Sequence, residues 1–239
     1  MPYQALSAAF VPQPPATVVG QYPTSFRGVP RPVDLPWGLK PLGSATYGFD
    51  DLPDGRTRFW IRHEVLRGVT PRMLAWWFAH LDGDVVIGRR RIDRYRLWHP
   101  YDHVHNSYAR RRPDGTIGPG AAIRIVEILG GNPDYRVDIV TRIEKLDEEG
   151  FIHNPVLHGV RGLARMEYAF RAVAGGTLYE NCLVFGVRHP AYALVRPLAK
   201  WLAFPDAKGE TWIRHNVEEV GMLEKFLPEL YRAETGLDA

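Results

Sequence analysis

The segment GETWIRHNVEEVGMLEKFLPELYR, residues 209–232, decides the fold, because its apolar residues recur with the period of one long amphipathic helix. One face of that helix is predicted to pack against a core. The side chains on this face are Trp212, His215, Glu219, Met222, Phe226 and Leu230. The opposite face is polar, and we expect it to contact solvent. Its side chains are Arg214, Glu218, Lys225 and Glu229.

Glu219 is an acid in the middle of the apolar face. An ionised carboxylate in such a place costs several kcal/mol unless it is paired or bound to a metal ion. His215 precedes Glu219 by one helical turn, so the two side chains can bind one ion together. The alternative is a hydrogen bond between His215 and Glu219 inside the core. The helix alone leaves both interpretations open.

A second acid, Glu127, lies in AAIRIVEIL, residues 121–129. The alternation predicts a strand in which Glu127 shares a face with Ile123 and Ile125, while the opposite face is also apolar. Glu127 therefore has no obvious contact with water. The alternative to a metal ligand is a buried salt bridge, for example with Arg124.

Three histidines, His99, His103 and His105, occur within HPYDHVHN, residues 99–106. This density of imidazoles suggests a site, since histidine is the commonest metal ligand. The spacing alone does not choose among the three. His99 and His103 would also fit one helical turn as a ligand pair.

The rest of the chain predicts an α+β plan. The segment RTRFWIRHEVL, residues 56–66, alternates like a half-buried strand, and Thr70 followed by Pro71 marks the start of a short helix. Further strand-like runs cover residues 121–129, 135–146, 164–173 and 176–188. A curved antiparallel sheet folded around the terminal helix would leave an internal cavity.

The domain boundaries follow from composition. Residues 1–45, rich in proline and glycine, are predicted to form an extended arm, and residues 46–239 one catalytic domain. Within that domain, residues 190–204 resemble a short helix interrupted by Pro197.

Composition excludes several classes of function. The formal net charge is +3 and the basic residues form no stripe, so we expect no nucleic-acid partner. No apolar run approaches the ~20 residues that cross a bilayer, and the first 20 residues contain no Lys or Arg, so we expect no membrane partner and a cytoplasmic location. The single cysteine, Cys182, lies in an apolar strand and is interpreted as a core residue. No G-x-S-x-G motif is present.

Three segments resemble the family of 2,4-diacetylphloroglucinol hydrolase and phloretin hydrolase. They are GVTPRMLAWWFAH (residues 68–80), YRLWHPYDHVHN (residues 95–106) and WIRHNVEEVG (residues 212–221). The resemblance covers roughly residues 45–235. It implies a helix-grip (Bet v 1-like) fold, which agrees with the plan above, and a zinc enzyme that cleaves the bond between an aromatic ring and an acyl group.

The resemblance also implies a ligand set. A tyrosine eight residues before the first histidine and an asparagine three residues after it match Tyr95 and Asn106, which selects His103 over the other two imidazoles. The zinc ligands implied are His103, Glu127, His215 and Glu219. The family's first glutamate lies farther from its histidine than Glu127 does from His103, so we expect a shorter hairpin here.

Roles beyond the ligands follow from the same resemblance. Tyr95 and Asn106 are expected to hold substrate oxygens and to take part in catalysis, with His99 as a catalytic proton relay, a role that His105 also fits. An active-site tyrosine from the second half of the sheet is supplied by Tyr168 or Tyr179, and Tyr179 is named as the substrate-binding candidate.

The predicted function is hydrolytic removal of an acyl group from a phloroglucinol-type ring, with an acylated phenol or related ketone as the small-molecule partner. Two alternatives remain: a metal-dependent hydrolase of another diketone or polyketide on the same fold, and a non-catalytic carrier of apolar ligands. A carrier does not need two acids in its cavity wall. A homodimer is left open.

Overall fold

A computed structural model describes residues 31–157, 159, 161–188, 194, 198 and 206–237. Most of the predicted N-terminal arm, up to residue 30, and most of the predicted helix over 190–204 lie outside the described residues. The strands are β1 (Ala45–Asp51), β2 (Thr57–His63), β3 (Leu66–Arg67), β4 (Asp84–Ile87), β5 (Arg90–Asp93), β6 (His103–Arg110), β7 (Ala122–Ile128), β8 (Arg136–Asp147), β9 (Gly150–Val156), β10 (Ala164–Val173) and β11 (Gly176–Phe185).

Nine of these strands form one antiparallel sheet in the described part of the chain, in the order β1-β2-β11-β10-β9-β8-β7-β6, with β3 paired to β11. β4 and β5 form a separate hairpin. The helices are α1 (Pro71–Ala79), α2 (Arg94–Trp98) and α3 (Asp206–Thr235). Three single 3₁₀ turns cover Leu42–Ser44, Leu129–Gly131 and Pro133–Tyr135.

The predicted start of α1 is confirmed. The Thr70 hydroxyl accepts a hydrogen bond from the Met73 backbone N–H at 3.3 Å, and Pro71 occupies the first helical position, where its missing N–H costs nothing. The helix buries Trp77 and Phe78, whose rings contact α3 and the sheet.

Helix α3 packs against the sheet through the face predicted from the sequence. The buried side chains of that face are Trp212, His215, Glu219, Met222, Phe226 and Leu230. The buried arc is wider than predicted, because residues 31–44 cover a further side of the helix. The Trp37 ring lies 6.4 Å from the Phe226 ring, and Lys40 forms an ion pair with Glu224 at 2.9 Å. Gly221 permits this close approach, since a Cβ there would lie 2.6 Å from the Lys40 side chain.

The sequence did not predict β6, β9 or the β4–β5 hairpin. Strand β6 begins HVHN and β9 reads GFIHNPV, so polar side chains obscure the alternation in both, and Pro155 interrupts it in β9. β1 was not predicted either. The predicted strands, the helix that begins at Pro71 and the C-terminal helix are present within a few residues of their expected ends.

The architecture is the predicted α+β fold, a helix-grip (Bet v 1-like) curved antiparallel sheet around a long C-terminal helix. Among the described helices, none combines the length and the apolar character that crossing a bilayer requires. A cavity of about 610 Å³ lies between the sheet and α3, and its wall is mostly apolar.

Candidate metal centre

Strands β6 and β7 and helix α3 bring the four predicted ligands to one part of this cavity. His103 and Glu127 are direct cross-strand partners, so their side chains lie on the same face of the sheet. His215 and Glu219 face them from α3 and are separated by one turn. Glu127, His215 and Glu219 all line the cavity.

The distances between donor atoms fit one ion. His103 Nε2 lies 3.3 Å from Glu219 Oε2 and 3.7 Å from Glu127 Oε1. His215 Nε2 lies 3.8 Å from Glu127 Oε2 and 3.7 Å from Glu219 Oε2. Ligand atoms about 2.0–2.2 Å from a tetrahedral zinc ion lie roughly 3.3–3.6 Å apart. These four separations are therefore near those that a bound ion requires, and the donor atoms of His103, Glu127 and His215 all lie within 4.8 Å of one another.

Hydrogen bonds to the other ring nitrogens fix how these imidazoles face the carboxylates. His103 Nδ1 donates to the backbone carbonyl oxygen of Tyr95 at 2.7 Å, and His215 Nδ1 donates to Asp102 Oδ2 at 3.0 Å. In a neutral ring, Nε2 is then an unprotonated acceptor. His103 Nε2 is fully buried and has no hydrogen-bond partner among the described residues. A lone pair that faces carboxylate oxygens is repelled unless a cation or a proton lies between them, so this donor set fits a divalent metal ion.

The pKa values of the metal-free site agree with this interpretation. Burial raises the pKa of Glu219 to about 8, against the opposing effect of His215. Burial lowers the pKa of His215, but the hydrogen bond to Asp102 and the carboxylates of Glu127 and Glu219 outweigh it and raise the value to about 9. Burial, together with the charges of His215 and His99, holds the pKa of His103 well below its usual range. Without a metal, His215 and Glu219 therefore hold protons at neutral pH, at positions where a bound cation would replace them.

Sequence reasoning missed Asp102, which accepts the hydrogen bond from His215 Nδ1 on the side of the ring away from the other predicted ligands. Its carboxylate also accepts hydrogen bonds from the backbone N–H groups of Gly130 at 2.8 Å and Gly131 at 3.2 Å. A carboxylate on the second nitrogen of a ligating histidine fixes the tautomer and the ring orientation. The available signal was its position directly before His103 in the histidine-rich segment.

His99, Asp102 and His215 also offer ligand atoms within 4.8 Å of one another. A second ion there would compete for His215, whose Nδ1 proton is needed by the first site. His99 Nδ1 accepts a hydrogen bond from the Asp102 backbone N–H at 3.1 Å, so its Nε2 carries the proton and faces Glu218 Oε2 at 3.2 Å. This tautomer does not suit a metal ligand, and the four-residue set is the better site.

His99 does not line the cavity, in contrast to its predicted role as a proton relay. Its ring stacks behind His215 at a centroid distance of 4.7 Å, and both nitrogens are engaged there. His105, the third imidazole of the segment, is also absent from the cavity wall and lies in the field of Arg124 and Asp138.

The alternative partner for Glu127 is not used. Arg124 forms its hydrogen bonds with Asp138 at 3.0 and 3.1 Å. Glu127 instead accepts a short hydrogen bond from the Tyr95 hydroxyl, and the Tyr95 ring stacks on the His103 ring at 3.7 Å.

Asn106 lies on the cavity wall and is 5% exposed. Neither its Oδ1 nor its Nδ2 has a hydrogen-bond partner among the described residues. An amide that is buried with both ends unpaired costs free energy unless a ligand or water pairs with it. Its position therefore suits the substrate-binding role expected from the sequence.

Tyr168, not Tyr179, lines the cavity. Tyr179 is fully buried and packs against the rings of His63 and Phe170, so the structure places the named substrate-binding candidate behind the wall. The two tyrosines lie on adjacent strands, β10 and β11, and the sequence pattern did not show which one faces inward.

His153, on the unpredicted strand β9, is a further cavity residue that sequence reasoning missed. Its Nδ1 is hydrogen-bonded to the Thr141 hydroxyl at 2.7 Å, and its Nε2 lies 3.4 Å from the Tyr168 hydroxyl. Burial lowers the pKa of His153 to about 3, so the ring is neutral at pH 7. The cavity wall therefore contains a neutral imidazole next to a phenol.

Comparisons with known proteins can now be set beside this geometry. Residues 41–136 match the family model described as the DAPG hydrolase PhiG domain, where DAPG denotes 2,4-diacetylphloroglucinol. No curated protein matches the chain. Among solved structures, Ara h 8.0201 is 14% identical with a TM-score of 0.39, covering 68% of this chain and 98% of its own.

Two proteins from Mycobacterium smegmatis are similar to a comparable degree. A START superfamily protein is 14% identical with a TM-score of 0.43, covering 70% of this chain and 99% of its own. Protein Ms6760 is 12% identical with a TM-score of 0.44, covering 76% of this chain and 96% of its own. The family match extends over Tyr95, His103 and Glu127, and it confirms that the chain resembles the DAPG hydrolase family over residues 41–136.

Proposed function

We propose that this chain is a zinc-dependent hydrolase that cleaves the carbon–carbon bond between an acyl group and a phloroglucinol-type ring. The observation that carries the proposal is the pair of glutamates, Glu127 and Glu219, which face the Nε2 atoms of His103 and His215 in a mostly apolar cavity. A carrier of apolar ligands gains nothing from such a set. The family match supports the class of reaction.

In the reaction, water adds to the ketone carbon and the bond from that carbon to the ring breaks. The acyl group leaves as a carboxylic acid, and the ring carbon takes a proton. A bound zinc ion would polarise the ketone carbonyl and lower the pKa of a bound water. His103, Glu127, His215 and Glu219 would hold it.

The other polar groups of the cavity have distinct tasks in this proposal. The unpaired amide of Asn106 binds a substrate oxygen, and the Tyr95 hydroxyl orients Glu127. The Tyr168 hydroxyl gives the ring carbon its proton, and the neutral His153 ring, whose Nε2 lies 3.4 Å from that hydroxyl, stabilises the resulting phenolate by donating a hydrogen bond. The apolar wall excludes bulk water from the carbanion-like ring.

The first experiment measures metal content and turnover together. The purified protein is analysed for bound metals, and the consumption of mono- and diacylated phloroglucinols and of phloretin is followed by absorbance. We expect about one zinc per chain and turnover of at least one of these ketones. A protein without a near-stoichiometric divalent ion would contradict the metal proposal. A metal-loaded protein that consumes none of them would contradict the substrate proposal.

Glu219→Gln provides the matched test of the ligand set. The substitution keeps the shape of the side chain and removes its charge. We therefore expect the protein to lose the metal and its turnover rate to fall by about two orders of magnitude or more, within the usual range for removal of a catalytic group. Glu210→Gln is the control, since Glu210 is exposed on the same helix. Equal metal content and activity in both variants would show that Glu219 is not a ligand.

A further inference from the structure

The cavity has a charged opening at the start of α3. Asp138 and Val140 of β8 line the cavity and are exposed, which marks this end as the opening. Lys208, in the first turn of α3, also lines the cavity. The start of α3 lies next to the Leu129–Gly131 turn, because Thr211 packs against Gly130, where a Cβ would lie 2.8 Å from the Thr211 methyl group. This turn follows β7, in which Val126 pairs with Asp138.

The α3 residues that line the cavity form one row from this opening to the metal centre. They are Lys208, Trp212, His215 and Glu219, together with Asn216. The spacing of three or four residues keeps the row on one face of the helix. With a rise of 1.5 Å per residue, Lys208 lies about 10 Å along the axis from His215. Lys208 and the metal ligands of α3 are therefore separated by about two helical turns within one cavity.

The charge of Lys208 has no counterion among the described residues. The side chain is half-buried, and burial is the one cause that lowers its pKa. Asp138, the acid at the opening, is already paired with Arg124 at 3.0 Å and Arg136 at 3.3 Å. The first turn of a long helix adds partial positive charge. The opening thus has an excess of positive charge beside a mostly apolar wall.

We propose that Lys208 binds an anionic oxygen of the substrate about two helical turns from the metal centre, and so selects acyl-arenes that carry a carboxylate or an ionised phenol at that distance from the reacting carbonyl. This inference rests on the proposed function, because it takes the reacting carbonyl to lie at the His215–Glu219 end. Lys208 acts by binding. Its loss therefore raises KM for the anionic substrate and leaves kcat nearly unchanged.

The test uses matched pairs of phloroglucinol ketones. The two members of the first pair have an acyl chain that ends either in a carboxylate or in the neutral carboxamide of the same shape. In the second pair the acyl chain ends either in a fluorinated, ionised phenol or in the neutral parent phenol. We expect the wild-type protein to favour the anionic member of at least one pair by about tenfold in kcat/KM. The pair that shows this preference identifies which anionic group is bound.

Three variants test whether Lys208 causes the preference for the anionic substrate. Lys208→Met removes the charge and should abolish the preference through KM, whereas Lys208→Arg should keep it. Lys225→Met, the same substitution on the opposite face of α3, should behave as the wild type. A wild-type protein without a preference in either pair, or a preference that persists in Lys208→Met, would overturn the proposal.

Failure of the proposed function can be told apart from failure of this inference. If the wild type cleaves none of the ketones, the reaction assignment fails, and binding of the same pairs is measured by calorimetry. Tighter binding of an anionic member by the wild type, weakened by added salt and lost in Lys208→Met, supports the role of Lys208. Equal binding of both members of each pair refutes it.

Discussion

At the scale of single residues, the proton positions of the imidazoles decide whether the site can hold a metal. Asp102 keeps the proton of His215 on Nδ1, and it is itself held by two backbone N–H groups. In Asp102→Asn the amide oxygen can replace Oδ2, which accepts from His215 and Gly130, but the NH2 group then faces the Gly131 N–H, and a neutral amide binds the imidazole more weakly than a carboxylate does. We expect the His215 ring to be oriented less strongly and zinc affinity to fall about 10- to 100-fold.

Competition with a chromophoric chelator measures this change. Asp134→Asn, at an exposed position, is the control and should bind zinc as the wild type does. The folded structure of Asp102→Asn is checked by circular dichroism, since a loss of affinity counts only in a folded protein. An unchanged zinc affinity would mean that the Asp102 carboxylate does not orient His215 for the metal.

Asp93 provides a pH dependence that is independent of the metal ligands. Its carboxylate accepts a hydrogen bond from the Arg96 backbone N–H at 3.1 Å at the start of α2, yet burial raises its pKa from 3.8 to about 6. The folded state thus holds this proton more tightly than the unfolded state. The contribution of Asp93 to the free energy of unfolding is therefore fully present below pH 3.8 and is lost as the pH rises through about 6.

Asp93→Asn keeps the cap and removes the charge. Because the side chain is partly exposed, we expect a gain of only about 1–2 kcal/mol in the free energy of unfolding at pH 8, and little difference from the wild type near pH 4. Urea unfolding of chelator-treated wild type and variant at pH 4, 6 and 8 measures this. A variant that is less stable than the wild type at pH 8 would contradict the sign of the shift.

At the scale of elements, a buried polar chain fixes α3 against β11. The side-chain oxygen of Asn181, Oδ1, accepts a hydrogen bond from His63 Nε2 at 2.8 Å, and its side-chain Nδ2 donates to Asn216 Oδ1 at 2.6 Å. Asn216 in turn donates to the Trp212 carbonyl oxygen at 2.9 Å. The contact with α3 is one residue from His215, so it also sets the rotation of the metal-binding face.

Asn181→Leu leaves His63 Nε2 and Asn216 Oδ1 buried without their partner. We expect a loss of about 2–4 kcal/mol in unfolding free energy, because each unpaired buried group loses about 1–3 kcal/mol. Asn154→Leu on β9 is the matched control; it removes a more exposed bond to Glu144 and should cost less than about 1 kcal/mol. Equal losses in the two variants would show that the chain does not hold α3.

The elements also differ in how well the sequence predicts them. Helix α3 was predictable, because its buried face repeats with one period over many residues. The acids on apolar faces, Glu127 and Glu219, were informative for the same reason. Strand β9 was not predictable from its polar pattern, and with it His153 was missed. The choice between Tyr168 and Tyr179 depends on sheet curvature and register, which local alternation does not contain.

At the scale of the whole molecule, the candidate site joins the two layers of the fold. His103 and Glu127 come from the sheet, whereas His215 and Glu219 come from α3. An ion bound by all four would therefore cross-link the sheet and the helix, and it would bind the folded state alone. Such linkage stabilises a protein by about 4 kcal/mol when the free ion is at about 1,000 times its Kd.

The stabilisation by zinc should increase with pH. In the metal-free protein the pKa values of Glu219, about 8, and His215, about 9, mean that both groups hold protons at pH 7. Zinc must displace these protons, so lowering the pH weakens binding and raising it strengthens binding. We expect the difference in thermal midpoint between zinc-loaded and chelator-treated protein to grow from pH 6 to pH 8. His215→Ala should abolish the difference at every pH, and a zinc effect of equal size across this range would mean that no ligand proton is displaced.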